Sequence, residues 1–454
     1  MLSVRLGVMA ALLAVTAACG PVKTPGHPAE PDLATLRHVT WSNTAQELAG
    51  VPATSERTKA SLYGFGDSAL GGPISVVSGD IVISGVQTER AVIVAGQSAK
   101  TGKILWRRSL PTGKDGYAEC YDDDHGPMFV CKVSVGEKQV TTLWVIADRT
   151  GAVRRKIPIE SVSALGLSGD ELYLATFRPA KGDKRLDVVV TRRSLMGTTT
   201  AWTRKTSFAI EGWGHDGSQG FDIGRDRVSA YSASWQVIVD RATGRLLDRS
   251  DEGRWEDQLP RGGRVVLDSG DGTRSRVDVT LFSPDGRPLA DLREETYPQP
   301  QEVAHDRLVL GRHLVSLATG RVVFTAPRKR TIAAVVDKGR VAVVEPIEFS
   351  EGRFPLAMYD TGTGRKLGAL TVAGDWTGQT AAGGHGVVKL VQHYDKKSEM
   401  SRATANVIDV RTAKQVAVIR LGKPTADYEF PTVVDTPAGI AITGGGAVRG
   451  LVAR

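Results

Sequence analysis

Cysteine is scarce in this 454-residue chain, with Cys19, Cys120 and Cys131 the complete set. Three thiols cannot build a four-cysteine zinc site or the disulfide lattice of a miniature secreted fold. Helical periodicity is missing as well. Beyond Cys19 no window keeps apolar residues at i, i+3, i+4 and i+7 for a dozen residues, which excludes helical bundles and sheets wound with helices. The catalytic signatures G-x-S-x-G, H-E-x-x-H and G-x-x-x-x-G-K are absent, and the segment GQSAKTGK has one residue too many for a phosphate loop. Aromatics make up 6% of the residues, and the formal charge of +8 is scattered, its densest cluster being Arg328, Lys329 and Arg330. Nucleic acid, which calls for a concentrated basic surface with stacking platforms, is not an expected partner.

What the chain has in quantity is glycine, 51 residues, together with short runs in which apolar and polar positions alternate. Period-2 runs mark strands, and abundant glycine marks the turns between them. With 41% hydrophobic residues, a chain of this length can bury a large core. The expectation is an all-β protein.

The first 18 residues read as a secretory leader. Arg5 precedes an apolar stretch, Leu6 to Val15, which is too short to span a membrane, and the small residues Thr16, Ala17 and Ala18 lead to Cys19. The segment VTAACG resembles the bacterial lipoprotein lipobox, although Thr16 stands where that motif usually has leucine. The resemblance implies that Cys19 is lipidated and becomes the mature N-terminus; an ordinary leader with a chance cysteine is the alternative. Residues 19–35 follow as a tether, with four prolines in GPVKTPGHPAEPD, extended and semi-rigid. Residues 36–454 form the folded domain. The protein is thus expected on the extracytoplasmic side of the cell membrane, held there by lipid.

Cys120 and Cys131 flank YDDDHGPMFV, whose acidic and glycine residues predict a turn between two antiparallel strands. Such strands can bring the sulfurs into bonding range, and an oxidising compartment would keep the bond. Two reduced, buried cysteines are the alternative. The stretch YDDDHG offers oxygen ligands of the kind calcium takes, but it lacks the EF-hand spacing and terminal glutamate, so a solvated turn is expected and no metal is assigned.

One unit recurs along the chain. In AVIVAGQSAKTGKILWRRS, residues 91–109, an apolar run, a glycine turn and a second apolar run form a β-hairpin. Degraded copies have their turns at Gly151, Gly197, Gly244, Gly286, Gly320, Gly364 and Ala413. With the first turn at Gly102, the spacings are 49, 46, 47, 42, 34, 44 and 49 residues, the period of a propeller. Two further strand candidates precede most hairpins, as in VSGDIVISGV and LSGDELYLATF, so each repeat is a four-stranded antiparallel sheet, apolar on both faces, that is buried only by stacking on its neighbours. The eight hairpins predict eight blades, with seven or nine as alternatives, the interval from Gly286 to Gly320 being the weak point. LRHVTWSN near the N-terminus and PTVVDTPAGIAITGGGAVRGLVAR at the C-terminus offer strands that would join the two ends in one sheet.

The repeat resembles that of the pyrroloquinoline-quinone-like β-propellers, whose hairpin reads A-x-x-x-T-G-x-x-x-W and whose best copy here is AGQSAKTGKILW. The resemblance covers about residues 70–420. It implies tryptophans that dock between blades: Trp106 fits cleanly, Trp202 loosely, and Phe324 and Leu247 are apolar substitutes. It also implies a quinone cofactor beside calcium in the dehydrogenases of the family, held by carboxylate and asparagine ligands. Only two asparagines occur, Asn43 and Asn406, and no vicinal cysteine pair, so no quinone or other cofactor is expected. The histidines, His27, His38, His125, His215, His305, His313, His385 and His393, are scattered singly.

The functional expectation is a platform: a lipid-anchored propeller whose ring face docks another envelope or membrane protein, without catalytic activity of its own. In that respect it is similar to the propeller lipoprotein of the outer-membrane barrel-assembly machinery. The alternative is an enzyme or solute-binding sensor with its ligand in the central channel.

Overall fold

The computed structural model describes residues 31–51, 61–63, 75–113, 116–122, 127–135, 140–159, 162–180, 184–209, 219–232, 235–250, 254–259, 262–269, 277–294, 298, 300–303, 306–347, 352–395, 398, 400–422, 431–444 and 446–453. Along them the chain forms nine antiparallel sheets. They are blade 1 (Ser61–Pro111), blade 2 (Tyr117–Ile159), blade 3 (Ala164–Ala209), blade 4 (Gln219–Ser250), blade 5 (Arg254–Glu294), blade 6 (Gln301–Thr325), blade 7 (Arg330–Ala373), blade 8 (Trp376–Arg420) and blade 9, which adds the N-terminal strand Trp41–Thr44 to Thr432–Val452. Within blades 2 to 8 the strand order follows the chain, and we letter the strands a to d. In blade 1 the a position is shared by Ser61–Tyr63 and Ser75–Ser78, both paired with Ile81–Gln87. Close approaches between neighbouring blades are made by their a strands, which places those strands at the axis and the d strands at the rim of a β-propeller.

The ring has nine blades and not the eight counted from hairpins. The eight hairpins are the c–d hairpins of blades 1 to 8. Blade 9 has no such hairpin, because its d strand comes from the other end of the chain, in the register Trp41↔Gly450, Ser42↔Arg449, Asn43↔Val448 and Thr44↔Ala447. A count of turns cannot see a sheet that lacks one. The short interval between Gly286 and Gly320 also has a plain cause: blade 6 is complete, but its a strand has three residues and its other strands four.

Five of the c–d turns share one geometry. The N–H groups of Gly102, Gly151, Gly244, Gly320 and Gly364 each donate to the carbonyl four residues earlier at 2.8 Å. Each of these glycines has a φ between 62° and 70°, the left-handed region where a Cβ is strained. In blade 8 Ala413 occupies the same position at φ 51°. The threonine of the recurring T-G has its own role: Thr243 and Thr363 donate, through both N–H and hydroxyl, to Asp240 and Asp360 at 2.7–2.8 Å. Those hydroxyl bonds hold both exposed carboxyls below the usual range.

Tryptophan locks three of the blade joints. Trp41, Trp106 and Trp202 lie on the d strands of blades 9, 1 and 3, and each covers the turn glycine of the next blade. A Cβ built on Gly102, Gly151 or Gly244 would fall 2.5–2.6 Å from the indole above it. Trp41 and Trp106 also lie over a glycine of their own sheet, Gly450 and Gly96, their direct cross-strand partners. Two indole N–H groups close the joint by donating to the next turn, Trp41 to the Ala99 carbonyl at 2.9 Å and Trp202 to the Arg241 carbonyl at 3.0 Å. Two residues after each tryptophan stands a second donor: Asn43, Arg108 and Arg204 bond the carbonyls of Gly102, Gly151 and Gly244 at 2.7–2.8 Å.

Other joints use other chemistry. Between blades 2 and 3, Arg155 donates to the Leu195 and Gly197 carbonyls. Phe324 packs on Tyr359 of blade 7 with ring centroids 5.5 Å apart, as an apolar substitute should. Leu247 does not take the tryptophan position of blade 4; four residues after Gly244 stands Asp248, paired with Arg254 of blade 5 at 3.6 Å. The buried clusters follow this arrangement, each joining two blades, such as Val94 and Trp106 with Phe129 and Cys131.

The chain enters the ring at Asp32, whose carboxylate accepts from His385 N–H at 2.9 Å. A short 3₁₀ turn, Leu33–Thr35, follows. Leu33 and Leu36 are fully buried against blades 8 and 9. Gly386 leaves room for this approach, since a Cβ there would sit 1.9 Å from the Ala34 nitrogen.

Candidate functional site

The two ends of the ring differ in the lengths of their connections. At one end lie the a–b and c–d turns, short throughout, with c–d connections such as 99–103, 148–152 and 241–245. At the other end lie the b–c and d–a strand ends, where the sequence separation between successive strands is greatest: Asp268 to Val277, Ala209 to Gln219 and Arg420 to Thr432. A rigid scaffold with length variation gathered at one end is how folds present recognition surfaces. Asp32 belongs to the short-turn end, beside Gly384 and His385 of the blade 8 a–b turn.

Two clefts open at the long-connection end. The first, about 380 Å³, lies between blades 3 and 4 and is lined by Phe208, Ala209, Trp235, Arg249, Ser250 and Arg254. Phe208 and Trp235 tilt against one another at 6.0 Å, and the Arg249 guanidinium lies over the Phe208 ring at 5.6 Å. The second, about 550 Å³, is built on the b–c hairpin of blade 8, whose strands Gly386–Asp395 and Met400–Asp409 have ten residues each. His393, Asp395, Met400, Arg402, Thr404 and Arg420 line it. Val391, on the same face of its strand as His393, meets Gly374 at the end of blade 7, so this face is turned toward blade 7.

At the axis, the a strands of blades 4 and 5 bring two acids together. Asp222 accepts the Gln258 N–H, and burial, with the Asp257 and Glu256 charges beside it, pushes its carboxyl up to about 8. Burial also raises Asp257, against the opposing effect of its 2.8 Å bond from the Trp255 indole N–H. Glu256 points the other way into a paired network, with Arg227 at 3.2 Å and Arg264 at 3.3 Å. A carboxyl raised in this way can stay protonated near pH 7 and donate a proton, and this one lies between the a strands of blades 4 and 5.

Cys120 and Cys131 are direct register partners on the a and b strands of blade 2, and they are joined by a disulfide with Cα atoms 4.0 Å apart. Both are buried, packed among residues of blades 1 and 2. Cys19 lies outside the described residues, as do His27, His125, His215, His305 and residues 123–126 of the acidic stretch. His38 is exposed, whereas His313, His385 and His393 sit in blades 6 and 8. His313 is buried, 3.4 Å from Glu294 of blade 5, and desolvation lowers its pKa to about 4. No group of three or more metal-ligating side chains occurs among the described residues. Both asparagines are engaged in the fold: Asn43 bonds Gly102 and Gln97, and Asn406 accepts from Gln415 at 2.7 Å. The blade 8 cleft and the Asp222 pair went unread in the sequence, because their residues are joined by strand register and not by a motif.

No family profile matches the chain, and no curated protein matches it in sequence. Among solved structures it is similar to a eukaryotic initiation factor, with 11% identity over 82% of this chain and 90% of that one and a TM-score of 0.48. It is similar also to the Dos1 propeller, with 11% identity over 93% and 97% and a TM-score of 0.42. The computationally designed Ika8 protein shares 13% identity over 78% and 96%, with a TM-score of 0.43. None of these likenesses carries a functional argument; the propeller stands on its own strand pairing.

Proposed function

We propose that this protein is an extracytoplasmic lipoprotein of the pyrroloquinoline-quinone-like propeller type, anchored to the membrane through Cys19, that serves as a docking platform for an envelope protein. The observation that carries this reading is the asymmetry of the ring. Long connections and both clefts gather at one end, while the chain enters at the other, beside Gly384 and His385. An anchor N-terminal to Asp32 would therefore join the short-turn end and leave the long-connection end free for a partner. The Cys120–Cys131 disulfide supports an oxidising compartment. A propeller suits a scaffold role, although a fold alone does not dictate one.

Two experiments test the two halves of the reading. Cys19→Ala should move the protein from membranes to the soluble fraction; unchanged membrane association would sink the anchor. Photo-crosslinking residues placed at Lys184 and Ala209, at the long-connection end, should give partner adducts in intact envelopes, while the same probe at Asp170 and Thr363 should not. Equal adducts from both ends would defeat the platform.

A second reading, an enzyme or sensor with its ligand in the channel, has the raised Asp222 carboxyl in its favour. A ligand that binds only the native state adds about 2.7 kcal/mol at a hundredfold excess over its Kd. Thermal unfolding with pyrroloquinoline quinone and calcium should show no shift on the platform reading, and a saturable rise would favour the channel.

A further inference from the structure

We propose that the blade 8 cleft binds a soluble organic phosphate, a phosphate monoester on a small carbon skeleton. Arg402 stands opposite His393 across the b–c pair, and Thr404 stands opposite Arg420 across the c–d pair. The two arginines are therefore diagonal neighbours on adjacent strands, about 7–8 Å apart at the backbone. Guanidinium groups at that spacing can converge on one tetrahedral anion, each presenting its planar fork. The side chains of Arg402 and Arg420 have no hydrogen bond or ion pair among the described residues. Arg155, Arg192, Arg204 and Arg241, by contrast, each bond a neighbouring blade.

The rest of the lining selects the remainder of the ligand. Thr404 is buried with its hydroxyl 3.3 Å from His393 Nε2, so a hydroxyl and an imidazole stand beside the arginines. Asp395, bonded by the Ser398 hydroxyl at 2.8 Å, is the acid of the lining. It repels a second negative charge and so orients a monoester with its phosphate toward the arginines. Met400 and Tyr394 give a carbon skeleton apolar surface. The hairpin stem is held in place before any ligand arrives, since Tyr394 N–H donates to Asp375 at 2.6 Å and Asp375 N–H to the Gln392 carbonyl at 2.8 Å. The cleft between blades 3 and 4 has no such free pair, because Arg254 is engaged by Asp248 and Arg249 by the Phe208 ring.

The test is calorimetric titration of the purified full-length protein with glycerol 3-phosphate, inorganic phosphate and succinate. Glycerol 3-phosphate should bind saturably and more tightly than inorganic phosphate. In R402A/R420A that affinity should fall about tenfold or more, the scale of a lost charged hydrogen bond, with the melting temperature unchanged because both residues are exposed. R402K/R420K should fall between, having the charge without the fork. Absence of saturable binding by either phosphate, equal affinity in R402A/R420A, or tighter binding of succinate would overturn the assignment. Co-sedimentation of the Cys19→Ala protein with phosphatidic acid vesicles, without uptake of glycerol 3-phosphate, would overturn the soluble ligand. The site does not rest on the platform reading, and membrane release is scored separately from phosphate binding.

Discussion

The joint between blades 1 and 2 and the joint between blades 7 and 8 solve one packing problem in opposite ways. In the first, the d strand supplies a large side chain, Trp106, and the next turn supplies an empty space, Gly151. In the second, the d strand supplies the empty space at Gly368, and the next turn fills it with the methyl of Ala413. A Cβ on Gly368 would lie 2.2 Å from the Ala413 Cβ. What the ring requires at this position is close contact with no void, and either partner can supply the atoms. The second solution places a non-glycine residue at φ 51°, a cost the first avoids.

Removing the large partner should have the largest effect. W106A deletes a buried indole and opens a cavity on both of its faces, so about 3–5 kcal/mol should be lost, read from the shift of the denaturation midpoint. A loss under about 1 kcal/mol would mean that the tryptophan joints are no stronger than the methyl joint. At the other joint, G368A should cost about 1–3 kcal/mol by overpacking, and A413G less than about 1 kcal/mol, since a lost contact is offset by relief at positive φ. The sharper measurement is the exchange: G368A/A413G moves the methyl from one blade to the other and should recover most of the G368A loss. Strict additivity of the two would show that the methyl and the space are not coupled.

Between blades 4 and 5 the joint carries a titration. Asp222 has an ordinary value of 3.8 and a folded value of about 8, so across that window ionisation favours the unfolded chain and stability falls as pH rises. D222N keeps an acceptor for Gln258 and should be more stable than the wild type at pH 8, with the difference shrinking as pH falls toward 4. Parallel curves for the two proteins would remove the burial argument. R108A should cost about 1 kcal/mol for the bond to the Gly151 carbonyl, and R204A should match it at Gly244.

The repeated unit was legible because its turn requires a particular backbone. A glycine at positive φ, preceded by threonine, recurs where the hydrogen-bonded turn recurs, and Trp106, four residues after Gly102, is large enough to notice. The ninth blade escaped a count by turns because it has no c–d hairpin, although strands at the two ends that join in one sheet were legible in the sequence and are paired over residues 41–44 and 447–450. The joints at Arg155 and Ala413 escaped for a different reason: contact can be satisfied by a cation on carbonyls or by a methyl in a gap, so residue type is not preserved. Phe324 keeps the aromatic character and is readable, whereas Asp248 does not, so the sequence points to the apolar Leu247 beside it. The disulfide was legible as a pair of strands around a turn. Neither the raised carboxyl of Asp222 nor the free arginines of the blade 8 cleft could be read from spacing, since each depends on what a neighbouring strand places beside it.

The entry of the chain at Asp32 gives the ring a mechanical order. Tension on the chain before residue 31 reaches Leu33 and Leu36, sunk beside blade 8, and the Asp32 bond to His385, before it reaches the four paired residues of Trp41–Thr44 that close the circle. The buried leucines act as a strain relief, like the knot tied inside a plug. A pull that would peel a four-residue clasp is first turned into a load on a fully packed blade.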